Sequence, residues 1–157
     1  MLIDRRAFGL SLPLAGIGAA RDADSDDATA SALIAPTFAG IAQLRAGEAR
    51  AIRTLGFGAP GDGGEAWYRR LDAAPQKPAA STVRTHDDVW FALAETAPNP
   101  LMFGAQPGLA TDSSLAIQAA LDYGAPVVDC GRVKMRIDTS VCVGEGQSLV
   151  NVDLQAG

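Results

Sequence analysis

Two short runs in the last third of the chain alternate strictly between apolar and polar residues. Val133, Met135 and Ile137 interleave with Lys134 and Arg136, and Val150, Val152 and Leu154 interleave with Asn151 and Asp153. A period of two with one apolar face specifies half-buried strands, because successive strand side chains point to opposite faces. Val127-Val128, after Pro126, adds a shorter apolar segment, and Gly131, Gly144 and Gly146 separate the runs. The strands are therefore short and closely spaced. Ahead of them, Ile117, Ala120 and Leu121 share one face of a helix that Asp112 caps at Ser113 and Gly124 ends.

The preceding stretch, residues 37–100, reads as a small β-rich segment. Phe38, Ile41 and Leu44 predict a short helix ending near Gly47. Ala51–Leu55 and Ala66–Leu71 flank the glycine-rich stretch 56–65 and predict a hairpin, with Trp90–Leu93 as a third strand and 72–82 as loop. Gly56, Gly58 and Gly61 match G-x-G-x-x-G, but a dinucleotide site needs a helix to start there, and Pro60 with a β-like aromatic run follows instead. The glycines are read as supplying positive φ to a tight loop. His86-Asp87-Asp88 reads as a turn rather than a catalytic pair, since neighbours on a strand diverge.

Phe103-Gly104-Ala105, then Thr111-Asp112, then Ala116-Ile117-Gln118-Ala119-Ala120-Leu121 resembles the opening of the pectate lyase superfamily. The resemblance covers about residues 101–157. The text upstream, Ile41–Arg45 and Gly61–Gly64 before Trp67-Tyr68, resembles the small domain that precedes such helices in tailspike-like proteins. It implies a mainly β fold with short helices: a Phe-Gly-Ala strand, a helix that plugs the end, then the first one to two coils of a right-handed parallel β-helix. The sequence departs from the pattern at Gln106-Pro107-Gly108-Leu109, where Gly-Asp-Gly is frequent, and at Val133-Lys134-Met135, where Gly-x-Tyr is usual. A solenoid needs about three repeats. The 33 residues after Gly124 supply roughly one and a half, so the expectation is the N-terminal piece of something longer, with a self-sufficient compact domain as the alternative.

Residues 1–20 carry Arg5-Arg6 before an uncharged, weakly apolar stretch ending Gly18-Ala19-Ala20. This resembles a twin-arginine export signal, although Asp4 and Gly9 depart from it. Residues 21–36 are expected to be an acidic linker, with Asp22, Asp24, Asp26 and Asp27 against one arginine. The expected location is periplasmic or extracellular. A net charge of −5 argues against nucleic acid as a partner, since no basic surplus exists to displace counterions. No apolar run is long enough to span a membrane. One histidine and two cysteines exclude a histidine-rich metal site or a four-ligand zinc ribbon, and no metal or cofactor is expected.

The resemblance implies polysaccharide as the partner and a lyase or glycosidase as the relative. The family's catalytic positions lie on central coils that this chain lacks, so no catalytic residue is assigned. Asp129, Asp138, Asp153, Lys134 and Arg136 are read as solvated strand charges. Trp67, Tyr68 and Trp90 are candidate glycan-stacking residues, with a small aromatic core as the alternative. Cys130 and Cys142 are either a disulfide formed after export or small apolar fillers. Three functional readings follow: the start of an exported polysaccharide-processing β-helix protein, a non-catalytic carbohydrate-binding or capping module, and a tailspike-like structural piece that trimerises or pairs with a downstream β-helix.

Overall fold

A computed structural model describes residues 32–157. The first part is a five-stranded mixed sheet in the order β1-β2-β3-β5-β4, formed by Ala32–Ala35, Ala51–Thr54, Ala66–Arg70, Thr82–Arg84 (β4) and Trp90–Leu93 (β5). β2 and β3 form the expected antiparallel hairpin, and β5 pairs antiparallel with β3. Alternation sorts the faces. Ile52, Tyr68, Phe91 and Leu93 point inward and are buried, while Arg53, Trp67 and Arg69 point outward. The helix α1 covers only Phe38–Ile41 before relaxing into turns, with Thr37 Oγ1 accepting the Gly40 N–H at 3.1 Å.

Two strands were not anticipated. Ala32–Ala35 lies inside the stretch read as linker, yet it pairs in parallel with β2. Its Ala35 is fully buried, so an alanine-rich segment too weak to fold alone is held by the sheet beside it. Thr82–Arg84 begins at the last residue read as loop and pairs with β5 through Val83 and Phe91.

The second part is built from parallel pairs. β6 (Gly108–Asp112), β8 (Lys134–Ile137) and β10 (Asp153–Ala156) form one sheet in the order β10-β8-β6, and β7 (Val127–Asp129) pairs with β9 (Ser148–Val150) in another. Val127 lies opposite Ser148, 21 residues on, and Lys134 lies opposite Asp153, 19 residues on. The chain thus turns from one sheet to the other and repeats the same path one layer further along, which is solenoid geometry. The corner between the sheets falls at Arg132 in one layer and Asn151 in the next, both left-handed, with φ of 58° and 52°. Asn151 therefore breaks what reads as a single alternating run, Val150–Leu154, into two strands in different sheets.

Phe103-Gly104-Ala105 is not the strand that the resemblance implies. Pro100–Phe103 form a 3-10 turn, capped by Asn99 accepting the Met102 N–H at 3.1 Å and closed by Gly104 at φ 94°. Gly104 backs onto the Phe57 ring, where a Cβ would come within 2.7 Å. The strand starts only at Gly108. The helix α2 (Ser114–Asp122) follows as expected: Asp112 accepts from Ser114 N at 3.0 Å, and Gly124 is left-handed at φ 86°. Ile117, Ala120 and Leu121 of α2 share one continuous buried cluster with Tyr68 and Phe91 of the five-stranded sheet, Val128 of β7 and Met135 of β8.

Candidate functional site

The outward face of the five-stranded sheet carries the aromatic and charged residues. Along β3, Trp67 and Arg69 project to this side, about 7 Å apart at roughly 3.4 Å per residue. Arg53 lies directly across from Trp67 on β2, and its guanidinium carbon sits 5.9 Å from the indole centroid. On the other flank, Ala94 N–H donates to Trp67 O at 2.8 Å, which places a small, exposed residue across from Trp67. Trp67 is 44 % exposed.

The three stacking candidates are not brought together. Tyr68, next to Trp67, faces the opposite way and is 2 % exposed, its ring 5.8 Å from that of Phe38. Burial, reinforced by Glu95, pushes its phenol well above the ordinary range, which keeps it neutral. It is a core residue, as strand alternation requires. Trp90 shares the outer face with Trp67 but stands at the far end of β5, half-buried, with Arg84 over it at 6.0 Å. Arg5 and Arg6, and with them the segment expected to be an export signal, lie outside the described residues.

Glu95 sits just past β5 and organises the space around Trp67. Its Oε1 accepts the backbone N–H of Trp67 at 2.8 Å. Its backbone carbonyl and that of Leu93 both accept the Tyr123 hydroxyl, at 3.1 and 3.0 Å. One residue therefore ties the central strand β3 to the end of α2. Two open cavities meet at Glu95. One, of about 280 Å³, is lined by Trp67, Arg53, Glu65, Asn99 and Met102. The other, of about 610 Å³, is lined by Arg69, Ala92, Thr96, Gly124 and Pro126. Strand alternation shows Arg53, Trp67 and Arg69 on one side, but the role of Glu95 depends on folding and carries no local motif.

The glycine-rich loop is closed to outside anions. Asp62 accepts four backbone N–H groups of its own loop: Phe57 and Gly64 on Oδ1 at 3.0 and 2.9 Å, Gly58 and Ala59 on Oδ2 at 2.7 and 2.9 Å. Burial pushes this carboxyl up, but the amides of Ala59, Gly64, Gly58 and Phe57 outweigh it and hold the group below its ordinary value. A phosphate would have to displace the protein's own carboxylate.

Of the remaining charged candidates, Asp87 and Asp129 hold backbone of their own surroundings in place. Asp87 accepts from Ala46 N, Gly47 N and Thr85 Oγ1, and those bonds, led by Ala46, hold it far below the usual carboxylate range. His86 is exposed and does not pair with it. Asp129 accepts from Gly131 N and Asn151 Nδ2, both at 2.8 Å, and so braces the corner. Arg136 pairs with Asp138 at 3.0 Å, and exposed Lys134 lies opposite Asp153. Cys130 and Cys142 are unbonded. Cys130 is buried, and burial with nearby Asp129 pushes its thiol up to about 11. Among the described residues there is no cluster of metal-ligating side chains and no helix long and apolar enough to cross a membrane.

No protein-family pattern and no curated protein matches the sequence. Solved structures do match the fold. The tailspike protein gp49 of Acinetobacter baumannii bacteriophage Fri1, a capsular polysaccharide depolymerase, superposes with a TM-score of 0.60 at 15 % identity, over 74 % of this chain and 22 % of that one. Full-length tailspike protein 2 of an Escherichia coli O157:H7 bacteriophage gives 0.57 at 17 % identity, over 81 % of this chain and 17 % of that one. WceF of Pantoea stewartii, a glycan biofilm modifying enzyme with a tailspike-like parallel β-helix fold, gives 0.52 at 17 % identity, over 73 % and 18 %. The chain spans about a fifth of the length of these proteins. What it shares with them is the fold, mainly β with short helices and of the tailspike-like parallel β-helix kind.

Proposed function

We propose that this chain is the opening section of an exported polysaccharide-processing β-helix protein, and that it binds glycan without cleaving it. The observation that carries this reading is the parallel stacking of β6, β8 and β10 beside β7 and β9, entered from a small mixed sheet. Solved structures that resemble it include tailspike proteins, one of them a capsular polysaccharide depolymerase, and a glycan biofilm modifying enzyme. In this reading α2 caps the end of the solenoid, and its buried face shares one core with Val128 and Met135. Asp112, Asp129 and Asp138 are taken up by the chain's own amides and side chains, which supports a structural role for these three carboxylates rather than bond cleavage. Trp67 is the exposed ring available for stacking on a sugar.

The test is electrophoresis of the full chain through gels loaded with bacterial exopolysaccharides and capsular polysaccharides. Retardation in at least one polymer, with no new reducing ends in that polymer, is the expected result. Free migration in all of them, or release of reducing ends, contradicts the reading. Export is tested separately with residues 1–36 fused to a folded reporter: Arg5→Lys with Arg6→Lys should keep the reporter in the cytoplasm, and export of that variant would contradict a twin-arginine route.

A further inference from the structure

We infer that the groove running from Trp67 past Glu95 to Arg69 is a binding site for an uncharged, hydroxyl-rich sugar chain. This deepens the glycan-binding reading and rests on it.

Three observations define the occupant. The first is shape. The two open cavities both border Glu95, one on its Trp67 side and one on its Arg69 side, at the seam between the sheet and the end of α2. Two open cavities adjoining at one residue suit successive units of an extended chain rather than a compact ligand. The second is the platform. Arg53 lies over one side of the Trp67 indole, the ring is 44 % exposed, and the neighbour across from it on the other flank, Ala94, is small and exposed. An indole face is apolar and carries partial negative charge, and the C–H face of a pyranose ring is apolar and partly positive, so the two stack. Arg69, two residues along the strand, is within reach of the next sugar unit.

The third is charge. Arg53 lies 3.7 Å from Glu65, and Arg69 shares its cavity with Glu95, so two cations face two anions. A polyanion gains no net attraction from such a lining. A neutral sugar gains from both signs, because each hydroxyl can donate to a carboxylate and accept from a guanidinium. Glu95 is preorganised for this: the backbone N–H of Trp67 fixes one oxygen, and among the described residues no protein group donates to the other. Tyr123 pins the backbone behind it.

The chain has only two tryptophans, so Trp90→Phe leaves Trp67 as the sole indole reporter. Full-length Trp90→Phe protein is titrated with cellohexaose, mannohexaose and a β-galactose hexamer, with hexagalacturonate as the acidic comparison. The expected result is a saturable change in Trp67 fluorescence with a neutral hexamer, little altered between 50 and 500 mM salt. Glu95→Gln in that background should weaken binding about fivefold, and Trp67→Ala, read by calorimetry, about tenfold, a step of roughly 1.4 kcal/mol. Silence with every neutral hexamer, or a response only to hexagalacturonate that salt abolishes, overturns the inference. If the wild-type chain is retarded by a polymer and both variants are retarded equally, the groove is wrong while the glycan-binding reading stands. If the wild-type chain binds no polymer, that reading falls and the inference with it.

Discussion

Asp62 shows how much one side chain can hold. Its two oxygens each accept two backbone N–H groups, so the loop between β2 and β3 is arranged around a single carboxylate. In Asp62→Asn one of those oxygens becomes an NH₂ group facing two donors. The expected loss is about 1–2 kcal/mol at pH 7, read from urea denaturation. The pH dependence has a definite sign. Asp62, Asp112 and Asp129 are all held below their ordinary values: Asp62 by amides that outweigh its burial, Asp112 chiefly by Ser114, Asp129 chiefly by Asn151. The folded chain therefore binds fewer protons than the unfolded chain just below the ordinary carboxylate value. Their stabilisation is complete above about pH 4 and is lost as pH falls through the lowered folded values. Wild type should lose stability below pH 4 more steeply than Asp62→Asn, and parallel curves would contradict that assignment.

Elements with strong internal alternation were legible from sequence: β2, β3, β5 and β8, and the helix α2 with its aspartate and terminal glycine. Those whose reason lies in a neighbour were not. Ala32–Ala35 has no pattern of its own and exists because β2 offers it a parallel edge. The run Val150–Leu154 keeps perfect alternation, but left-handed Asn151 turns the chain in its middle, and alternation does not report φ. Arg132 holds the equivalent corner one layer earlier, where an arginine pays a backbone penalty that glycine does not. Arg132→Gly should therefore stabilise the chain by about 0.5–1 kcal/mol, since relief of the left-handed strain exceeds glycine's extra unfolded-state entropy. Asn151→Val should destabilise it by about 1–2 kcal/mol for the converse reason. Thermal melts of both variants check the pair. The candidate site divides along the same line: Trp67 and Tyr68 are adjacent in sequence, and alternation alone separates the exposed ring from the core ring. Glu95 becomes central only because Trp67 and Tyr123 converge on it.

At the scale of the whole molecule, the mixed sheet and the parallel strands are joined by one buried cluster running from Ala35 to Met135. A shared core predicts a single cooperative unfolding transition, with near-UV circular dichroism and tryptophan fluorescence changing together. Two separated transitions would mean that the two parts are independent. Tyr123 reinforces the seam from outside that core, and Tyr123→Phe should cost about 1 kcal/mol, because its hydroxyl serves both Leu93 and Glu95. The seam is also where the groove lies, so stability and binding meet at the same residues. Hydrogen–deuterium exchange of the full chain, with and without a retarding polysaccharide, tests the account most directly. Added protection over β3 and residues 92–96, with β9 and β10 unchanged, is the predicted result. Unchanged exchange throughout at saturating polymer, or protection confined to the parallel strands, would contradict it.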